Sequence, residues 1–462
     1  MSASAPAAPP AAPPRVTATP VAQPRQESSL LVPGGLFLFA LALYAFRIWW
    51  PWHYIYDEVY HAYTAGQYVA GNHDAYVWWT KAPKSGVAYM WNHPPAGLLL
   101  IATGIRIFGD APFGWRIVDA IFGAIGIVLA WKIVLEMTGR RSAALLTAVF
   151  LLADSLYFVQ SRTSMLDIFG VVFMIAAFGC FYRFLRAPAD RVTAPLLGTG
   201  AFLGLGIATK WNAVYPAVLL GLFVVARTVT TLRAARGTRG GSGGAGDATA
   251  SAGVRAHLTG LLAGFVLLPA VIYFAAYIPF FLTGHTFGQW FELQRQVAWY
   301  HSHLKETHPY QSQWWEWPLT LRPVWYSVDY TKGRMAHVYA NGNLFLYVLF
   351  VPAVIGAMAS WWKTNRAAAT VLAIGFFGQW LPWMLVPRIA FIYHFLPAAI
   401  FGTVAVAWWT SELLARRGWP RAVAVGYVAL VLANFAYFYP VRASVPLTAQ
   451  AVEQRMWFKR WR

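Results

Sequence analysis

The sequence of 462 residues contains little charge and almost no cysteine. Only 11% of its residues are charged, whereas water-soluble globular proteins carry about 25%. This shortage excludes a soluble enzyme, a disordered protein and a coiled coil. The single cysteine, Cys180, excludes an intrachain disulfide and a cysteine-rich metal site, so we expect helix packing rather than covalent links to hold the fold together.

Apolar and aromatic residues dominate the composition instead. Hydrophobic residues make up 58% of the chain, with 24 tryptophans, 23 tyrosines and 31 phenylalanines, and the mean hydropathy is +0.47. This composition predicts an all-α polytopic membrane protein with the lipid bilayer as a partner. Lysine and arginine number 36 against 17 acidic residues, and this excess is better explained by cytoplasmic loops than by nucleic-acid binding.

Eleven apolar runs have roughly the length needed to cross a membrane, although some are short and adjoin one another. The stretch from Pro94 to Phe108 is different, because about 14 apolar residues extend only about 21 Å as a helix, against about 30 Å of hydrocarbon. We expect this stretch to lie in the membrane interface. The predicted spans are residues 30–50, 115–137, 142–160, 164–185, 194–209, 211–229, 257–282, 342–362, 367–386, 389–413 and 420–439.

Basic residues determine the orientation of these spans. With residues 94–108 in the interface, five basic clusters fall on the same side as the N-terminus, which the positive-inside rule assigns to the cytoplasm. We therefore predict a cell-membrane protein with a cytoplasmic N-terminus and the C-terminus outside. The clusters are Arg140/Arg141, Arg183/Arg186/Arg191, Arg227/Arg233/Arg236/Arg239, Lys363/Arg366 and Arg416/Arg417/Arg421.

This topology divides the chain into a membrane domain and its appendages. We predict a disordered cytoplasmic tail over residues 1–29, which are rich in Ala and Pro, a transmembrane domain over residues 30–440 and an outer tail over residues 441–462. Glycine and serine predict a flexible cytoplasmic loop within residues 230–255. The long connections fall outside, and loops of such length in compact proteins are usually functional; they are residues 51–114, with interfacial helices, and residues 283–341.

An acidic pair, Asp57 and Glu58, follows the first predicted span. Adjacent side chains on a helix diverge by about 100°, so at most one of them is expected to enter a cavity. Two interpretations fit the pair: acids that stabilise the N-terminus of an interfacial helix, or an acid that takes part in chemistry. Farther along the same loop, His93 precedes two prolines, a pattern that by itself favours a helix start over a site.

Four basic residues lie at the outer ends of predicted spans, where they cannot reach the cytoplasm. Each could extend to the outer headgroups. Several of them on one face, however, are typical of a substrate path, and we expect at least two to bind a phosphate. Asp167 follows Arg162 by five residues near the same surface. The four are Arg116, Arg162, Lys210 and Arg388.

The second outer loop contains the aromatic stretch from His308 to Pro318, followed by Arg322 and Pro323. An aromatic belt on the membrane surface explains some of these residues. Aromatic faces beside Glu, Gln and His also suit a sugar or a peptide. The sequence has no HExxH pattern or paired cysteines, so we predict no metal site.

These motifs occur in the order seen in one family. The chain resembles the protein O-mannosyltransferases, which use polyprenyl- or dolichyl-phosphate-mannose, over residues from about 30 to 440. The acidic motif departs from the family pattern by reading Asp-Glu-Val-Tyr-His, and the β-trefoil domain of eukaryotic members is absent, as in bacterial members. The resemblance rests on Asp57-Glu58, His93-Pro94-Pro95-Ala96-Gly97, Gly114-Trp115-Arg116, Arg162 with Met165-Leu166-Asp167, Lys210-Trp211, the stretch from His308 to Trp317 with Arg322-Pro323, and Arg388 with Tyr393-His394.

The resemblance implies the C-type glycosyltransferase fold and an outer active site that moves mannose from polyprenyl phosphate to Ser or Thr of exported proteins. A lipid phosphate leaves as a stable anion, so it needs cationic groups rather than a second acid. The acceptor hydroxyl needs one carboxylate as general base. One carboxylate without an enzyme nucleophile predicts a single displacement with inversion. No cofactor is required by this scheme, and the oligomeric state stays open.

We assign the site residues accordingly. Asp57 is the predicted base. Its neighbour in the catalytic motif, Glu58, is predicted to hold an interfacial helix or the acceptor backbone. Two other hypotheses remain: a transferase acting on lipid A or another envelope glycan, and a transporter of lipid-linked sugar. The predicted phosphate ligands are Arg116, Lys210 and Arg388. Arg162 and Asp167 form a predicted orienting pair. The residues predicted to bind or orient the substrate or the acceptor are His93, Glu316, Trp317, Arg322 and His394.

Overall fold

The computed structural model describes residues 30–238 and 245–462. The predicted tail over residues 1–29 and Arg239 lie outside the described residues. Helices form the framework, joined by short 3-10 turns. The helices are α1 Leu31–Ala45, α2 His61–Val69, α3 Ala96–Phe108, α4 Pro112–Thr138, α5 Arg141–Leu152, α6 Ser155–Gln160, α7 Leu166–Arg186, α8 Thr193–Thr209, α9 Val214–Thr238, α10 Ala245–Thr259, α11 Leu268–Ala276, α12 Ile278–Leu282, α13 Phe287–His303, α14 Leu344–Thr364, α15 Arg366–Trp380, α16 Leu396–Leu414, α17 Trp419–Phe438 and α18 Ala449–Glu453.

Eight helical segments of the described chain are long and apolar enough to cross a membrane. The protein is therefore a multi-pass membrane protein, and its predicted helical fold class is confirmed. Four shorter apolar helices, α1, α3, α5 and α8, accompany these segments, so the number of eleven spans stays a prediction. The eight segments are Pro112–Thr138, Leu166–Arg186, Trp211–Gly237, Ala248–Ala276, Leu344–Thr364, Arg366–Leu385, Ile392–Leu414 and Trp419–Val441.

Local sequence signals explain where several helices begin and end. Pro112 opens α4 and Gly139 closes it with φ 67°, the usual proline and glycine positions. The predicted span over residues 142–160 is divided into α5 and α6, because the Asp154 carboxylate accepts the Leu156 N–H (3.2 Å) and starts a new helix. Helix α3 has 13 residues, about 20 Å in length, and its interfacial placement stays a prediction.

Two helices form the centre of the bundle. The most apolar part of the segment Ile392–Leu414, which contains α16, is 94% buried, and that of α7 is 72% buried, whereas only 22% of the segment containing α17 is buried. Helices that are apolar on every side suit a core or a lipid environment. Close approach occurs where α8 meets the π-helical segment Gly260–Leu267, since a Cβ on Gly200 would lie 1.5 Å from the Gly264 carbonyl oxygen.

One end of the bundle carries a layer of loops, which we call the loop layer: residues 46–111, 283–343 and 440–462. It contains a hairpin that was not predicted, formed by β1 Val324–Thr331 and β2 Arg334–Ala340. Lys332 and Gly333 both have positive φ, which suits the two-residue turn of a twisted hairpin. The basic clusters that the structure describes lie toward the opposite ends of the membrane helices.

The predicted outer tail is ordered, and the predicted flexible loop differs from expectation. The C-terminal tail, residues 441–462, packs into the loop layer, where Leu447 pairs with Met335 and Trp461 is buried. Buried aromatic area explains this ordering. The flexible loop predicted over residues 230–255 is helical wherever the structure describes it, since α9 continues to Thr238 and α10 begins at Ala245. Alanine-rich sequence on both sides favours helix.

Candidate active site

A cavity of about 520 Å³ opens in the loop layer, a size typical of ligand pockets. Its walls come from the two long loops, from Lys210 directly after α8 and from the turn before α16. The lining residues are Tyr56, Asp57, Val59, Tyr60, His61, Ala88, Tyr89, Met90, Trp91, Asn92, His93, Lys210, Tyr300, Leu304, His308, Arg388, Ile389, Phe391, Tyr393 and His394.

A strained turn directs Asp57 into this cavity. Tyr56 has φ 47°, a conformation that costs free energy unless its surroundings hold it. Its ring stacks on Tyr326 with centroids 4.4 Å apart. The strand register skips Tyr326 between Trp325 and Ser327, so Tyr326 is the extra residue of a β-bulge, a device that redirects a side chain. The hairpin therefore fixes the backbone immediately before Asp57.

The Asp57 carboxyl has an altered acidity. Burial raises its pKa to about 7, a rise that the Lys210 ammonium opposes and the Asp167 carboxylate supports. Desolvation disfavours the charged form of an acid. A pKa near neutrality suits proton transfer at physiological pH, since both forms are then accessible.

Lys210 reaches the cavity from the end of α8. Its Nζ donates to Asp167 Oδ1 (2.8 Å) and Oδ2 (3.0 Å) and lies 5.3 Å from the ring centroid of Tyr393. The expected pair of Arg162 with Asp167 is therefore wrong: Asp167 holds Lys210. The reason is that Asp167, in the first turn of α7, and Lys210, directly after α8, meet where these two packed helices end together.

Arg388 lines the cavity and binds His301, which is not itself a lining residue. His301 Nε2 donates to the Asn92 carbonyl (2.8 Å), which leaves Nδ1 to accept a hydrogen bond from Arg388 Nη1. Burial and Arg388 lower the pKa of His301 to about 4, so its ring is neutral and suited to accept this bond. His93 stacks on His301 with centroids 5.3 Å apart. His301 thus orients the guanidinium of Arg388.

The histidines that line the cavity add polarity without charge. Burial lowers the pKa of His93 well below its usual value and that of His61 to about 3. His61 Nδ1 donates to the Ser164 carbonyl (2.8 Å), and the Phe391 N–H donates to His394 Nδ1 (3.1 Å). His93 and His394, both predicted as site residues, line the cavity. Lys210 and Arg388 are the lysine and arginine among its lining residues.

Glu58 points away from the cavity and forms a closed cluster with Arg116. Arg116 Nε and Nη2 donate to the two Glu58 oxygens (2.7 Å each). The Ile55 and Ser164 N–H groups donate to the same carboxylate (3.0 Å each). Glu58 is fully buried. The divergence expected for this acidic pair is found, but Glu58 is not positioned for a catalytic contact.

Arg116 and Arg162 also differ from expectation. The remaining Arg116 donors bind the Ile48, Pro51 and His53 carbonyls, so the prediction that Arg116 binds phosphate is wrong in this structure. Arg162 Nη1 donates to carbonyls at the end of α1, those of Tyr44 (3.0 Å) and Phe46 (2.7 Å). Arg162 thus binds carbonyls at the C-terminal end of α1, and Arg116 binds carbonyls of the chain that follows it. Carbonyls without a helical partner attract such cations.

The remaining predicted residues lie beside the cavity. Trp317 lines a neighbouring cavity of about 180 Å³, which shares Leu304, Arg388 and Ile389 with the first. Glu316 accepts from Arg460 Nη1 and from the Gln313 N–H, and Arg322 donates to the Pro309 carbonyl (3.1 Å). Neither Glu316 nor Arg322 lines these two cavities, so the structure does not place them for direct contact with a substrate, and an orienting role stays a prediction. Their charges are used within the loop layer instead.

The arrangement combines one acid of raised pKa with two cations in one polar cavity. Such a site suits removal of a proton from an incoming group and stabilisation of a departing anion.

Sequence reasoning missed Tyr56, Tyr326 and His301, whose roles depend on contacts between distant segments. The β-bulge and the tautomer of the histidine leave no local signal in the sequence. The described residues contain no cluster of three or more His, Cys, Asp or Glu that could hold a metal ion.

Comparisons with known proteins identify the family of this chain. The family model described as dolichyl-phosphate-mannose-protein mannosyltransferase matches residues 35–284, and the model of the C-terminal four-transmembrane region of protein-O-mannosyltransferase matches residues 286–461. A polyprenol-phosphate-mannose--protein mannosyltransferase of Mycobacterium tuberculosis is 28% identical over 88% of this chain and 86% of its own length.

Two solved structures share the fold. The Saccharomyces cerevisiae protein O-mannosyltransferase Pmt1-Pmt2 complex bound to the sugar donor matches with a TM-score of 0.75 at 15% identity, over 94% of this chain and 92% of that one. ArnT from Cupriavidus metallidurans bound to undecaprenyl phosphate matches with a TM-score of 0.55, also at 15% identity, over 92% and 77%. From the two family models, which together cover nearly the whole described chain, the protein belongs to the dolichyl-phosphate-mannose-protein mannosyltransferase family.

Proposed function

We propose that this enzyme transfers mannose, with inversion, from a polyprenyl phosphate to Ser or Thr hydroxyls of exported proteins. The observation that carries the proposal is the single cavity in which Asp57, with its raised pKa, faces Lys210 and Arg388. The family membership supplies the sugar and the class of acceptor.

Asp57 acts as the general base. Its carboxylate takes the proton of the acceptor hydroxyl while the hydroxyl oxygen forms a bond to the anomeric carbon of mannose. The bond between that carbon and the phosphate oxygen breaks at the same time, and the electron pair leaves with the polyprenyl phosphate. A single displacement of this kind inverts the anomeric configuration.

Lys210 and Arg388 stabilise the departing phosphate. Its negative charge grows as the bond breaks, so fixed cations bind it more tightly in the transition state than in the ground state. The ammonium of Lys210 is held by Asp167 and the guanidinium of Arg388 by His301. Both cations are therefore oriented before the donor arrives, which reduces the reorganisation needed in the reaction.

The cavity faces the exterior of the cell in this proposal. The basic clusters lie toward the helix ends opposite the loop layer, as expected if those ends are cytoplasmic. A single cysteine at Asp74, an exposed residue of the first loop, introduced with Cys180→Ala, tests this orientation. A membrane-impermeant maleimide should label intact cells at this position, and labelling only after the membrane is opened contradicts the topology.

The central experiment gives purified enzyme polyprenyl-phosphate-mannose and a Ser/Thr-containing peptide. We expect mannosylated peptide, and NMR of the product should show the anomeric configuration opposite to that of the donor. Parallel reactions offer lipid A and an arabinan in place of the peptide. Transfer to one of these glycans with none to the peptide overturns the proposed acceptor, and retention of configuration overturns the single displacement.

Activity without an added divalent metal is a further part of the proposal. The side chains of Lys210 and Arg388 supply the positive charge that a metal ion provides at other phosphate sites. Transfer should persist in excess EDTA. A complete loss that magnesium or manganese restores contradicts the metal-independent mechanism.

A further inference from the structure

Three buried arginines surround a second, much smaller cavity. It measures about 10 Å³ and shares no lining residue with the active-site cavity, so it has room for one water-sized occupant. We call it the arginine cavity. Arg116, Arg162 and Arg442 line it together with Trp50, Thr163 and apolar residues, and the three arginines are only 1%, 6% and 1% exposed. The Thr163 hydroxyl already donates to the Val159 carbonyl (3.0 Å).

Several hydrogen-bond donors at this cavity have no acceptor. Arg442 donates from Nη2 to Asn341 Oδ1 (3.0 Å), but its Nε and Nη1 groups are buried without a partner, as is the indole Nε1 of Trp50. Leaving such donors unpaired in the interior costs free energy. Among the residues that line the cavity, each buried polar side-chain atom without a hydrogen-bond partner is thus an N–H donor.

The charges at the cavity are also unbalanced. Glu58 neutralises Arg116, whereas Arg162 Nη1 binds carbonyl oxygens and Arg442 binds an amide oxygen. Burial lowers the pKa of Arg442 to about 9, a shift that the Asp154 carboxylate opposes. The Asp154 oxygens themselves accept bonds from Leu156, Asn343 and Tyr347. None of the lining residues is acidic. Two guanidinium groups thus face this cavity without a carboxylate partner, which is costly in a buried setting.

We propose that the arginine cavity binds one monatomic anion, with chloride as its occupant. An anion accepts hydrogen bonds from several directions and cancels part of the positive charge. A water molecule also accepts, but it brings two hydrogens that need acceptors, and the free polar atoms of the lining side chains are donors. The cavity is too small for phosphate or for a lipid headgroup, so the site differs in ligand from the active site.

Binding would join the loop layer to the helix bundle. The lining residues come from the first loop, from the start of α4, from α6 and the turn after it, from β2 and from the chain after α17. An anion bound only by the folded protein stabilises it by mass action. Above saturation, each tenfold rise in chloride should lower the unfolding equilibrium constant about tenfold.

Thermal unfolding of the purified full-length enzyme tests the site. Above the dissociation constant, we expect the Tm to rise steadily with the logarithm of the sodium chloride concentration, but not with sodium gluconate at the same ionic strength. The variant Arg442→Gln should lose this difference. Arg183→Gln is the matched control, because Arg183 is an exposed arginine paired with Glu136, and it should keep the full response to chloride.

A direct measurement covers the case in which Arg442→Gln fails to fold. Crystals of the wild-type enzyme grown in sodium bromide should give one anomalous peak between Arg162 and Arg442. A water molecule there in bromide crystals, or equal Tm values in chloride and gluconate, overturns the proposal. Neither measurement depends on the transferase reaction, so this inference and the proposed function fail separately.

Discussion

Two charged clusters begin one residue apart in the first loop and have opposite characters. In the closed cluster, Glu58 and Arg116 form hydrogen bonds with each other and with the backbone. In the open cluster, Asp57, Lys210 and Arg388 face a cavity large enough for a substrate. The same residue types therefore stabilise the fold where their bonding capacity is used internally, and are free for chemistry where a cavity leaves part of it unused.

The largest expected effect is on the open cluster. Asp57→Asn keeps the size of the side chain but removes the proton acceptor, so mannose transfer should fall about 10²- to 10⁴-fold. Labelled mannose transferred to the peptide measures this loss. Asp74→Asn, an exposed change in the same loop, should retain wild-type activity; full activity of Asp57→Asn would remove Asp57 from the role of base.

The same variant should not lose stability. Burial raises the pKa of Asp57 to about 7, above the unfolded value of about 3.9. The contribution of Asp57 to the free energy of unfolding is therefore fully present below about pH 4. It is lost as the pH rises through 7. At pH 8 the Tm of Asp57→Asn should therefore equal or exceed that of the wild type. A clearly lower Tm would mean that Asp57 is a structural acid like Glu58.

The closed cluster should show the reverse behaviour. Glu58→Gln leaves Arg116 as a buried cation without a counter-charge and should cost about 3–5 kcal/mol of unfolding free energy. Glu136→Gln is the matched control, because Glu136 binds Arg183 through two similar bonds (3.0 and 2.7 Å) on an exposed surface and should cost at most about 1 kcal/mol. Equal costs for the two variants would remove the distinction between the clusters.

A smaller effect is expected from the phosphate contact. Arg388→Gln removes one charged donor, so the KM for polyprenyl-phosphate-mannose should rise, or kcat should fall, by about 10- to 100-fold in total. Steady-state kinetics with varied donor measures this change. Arg295→Gln, an exposed change on α13, provides the comparison and should leave both constants near their wild-type values.

The pH dependence tests the acid of the open cluster. Only the carboxylate form of Asp57 accepts a proton, and burial raises its pKa to about 7. Between pH 8 and pH 6 the value of kcat/KM should therefore fall about tenfold. A pH-independent rate over this range would show that the group has an ordinary acidity, as expected of an exposed carboxylate.

The smallest effect is expected from His301, which positions Arg388 through its neutral ring. His301→Leu should raise the KM for the donor about three- to tenfold with little change in kcat. His301→Gln, which keeps a donor and an acceptor, should recover most of the loss. A fall in kcat that the glutamine variant does not restore would indicate a different role for this residue.

The sequence pattern was sufficient for the class of protein and for part of the site. Long apolar runs and few charges predict membrane helices because hydrocarbon accepts little else, and the order of motifs identifies the family. The expectation that the acidic pair diverges follows from helix geometry alone. Lys210 and Arg388 were selected by their position at span ends, and both line the cavity with Asp57.

The partners of these charges were not predictable in the same way. Asp167 was assigned to Arg162, its neighbour in sequence, but binds Lys210, which lies 43 residues away. Arg116 is predicted from the sequence to bind the phosphate, but it donates to Glu58, which lies 58 residues away in the chain. Helix packing decides which termini meet, and no local pattern encodes that meeting. For the same reason His301 and the bulge at Tyr326 were missed.

By itself, the sequence determined that this chain lies in a membrane, that acids and cations follow its spans, and that these motifs belong to mannosyltransferases. Those properties depend on composition and short-range spacing, which the bilayer and the helix repeat translate directly into structure. Only the tertiary structure decided which charges are closed and which are open. Burial and pairing depend on segments far apart in the chain, and the free energy of a charge is determined by the surroundings that those segments provide.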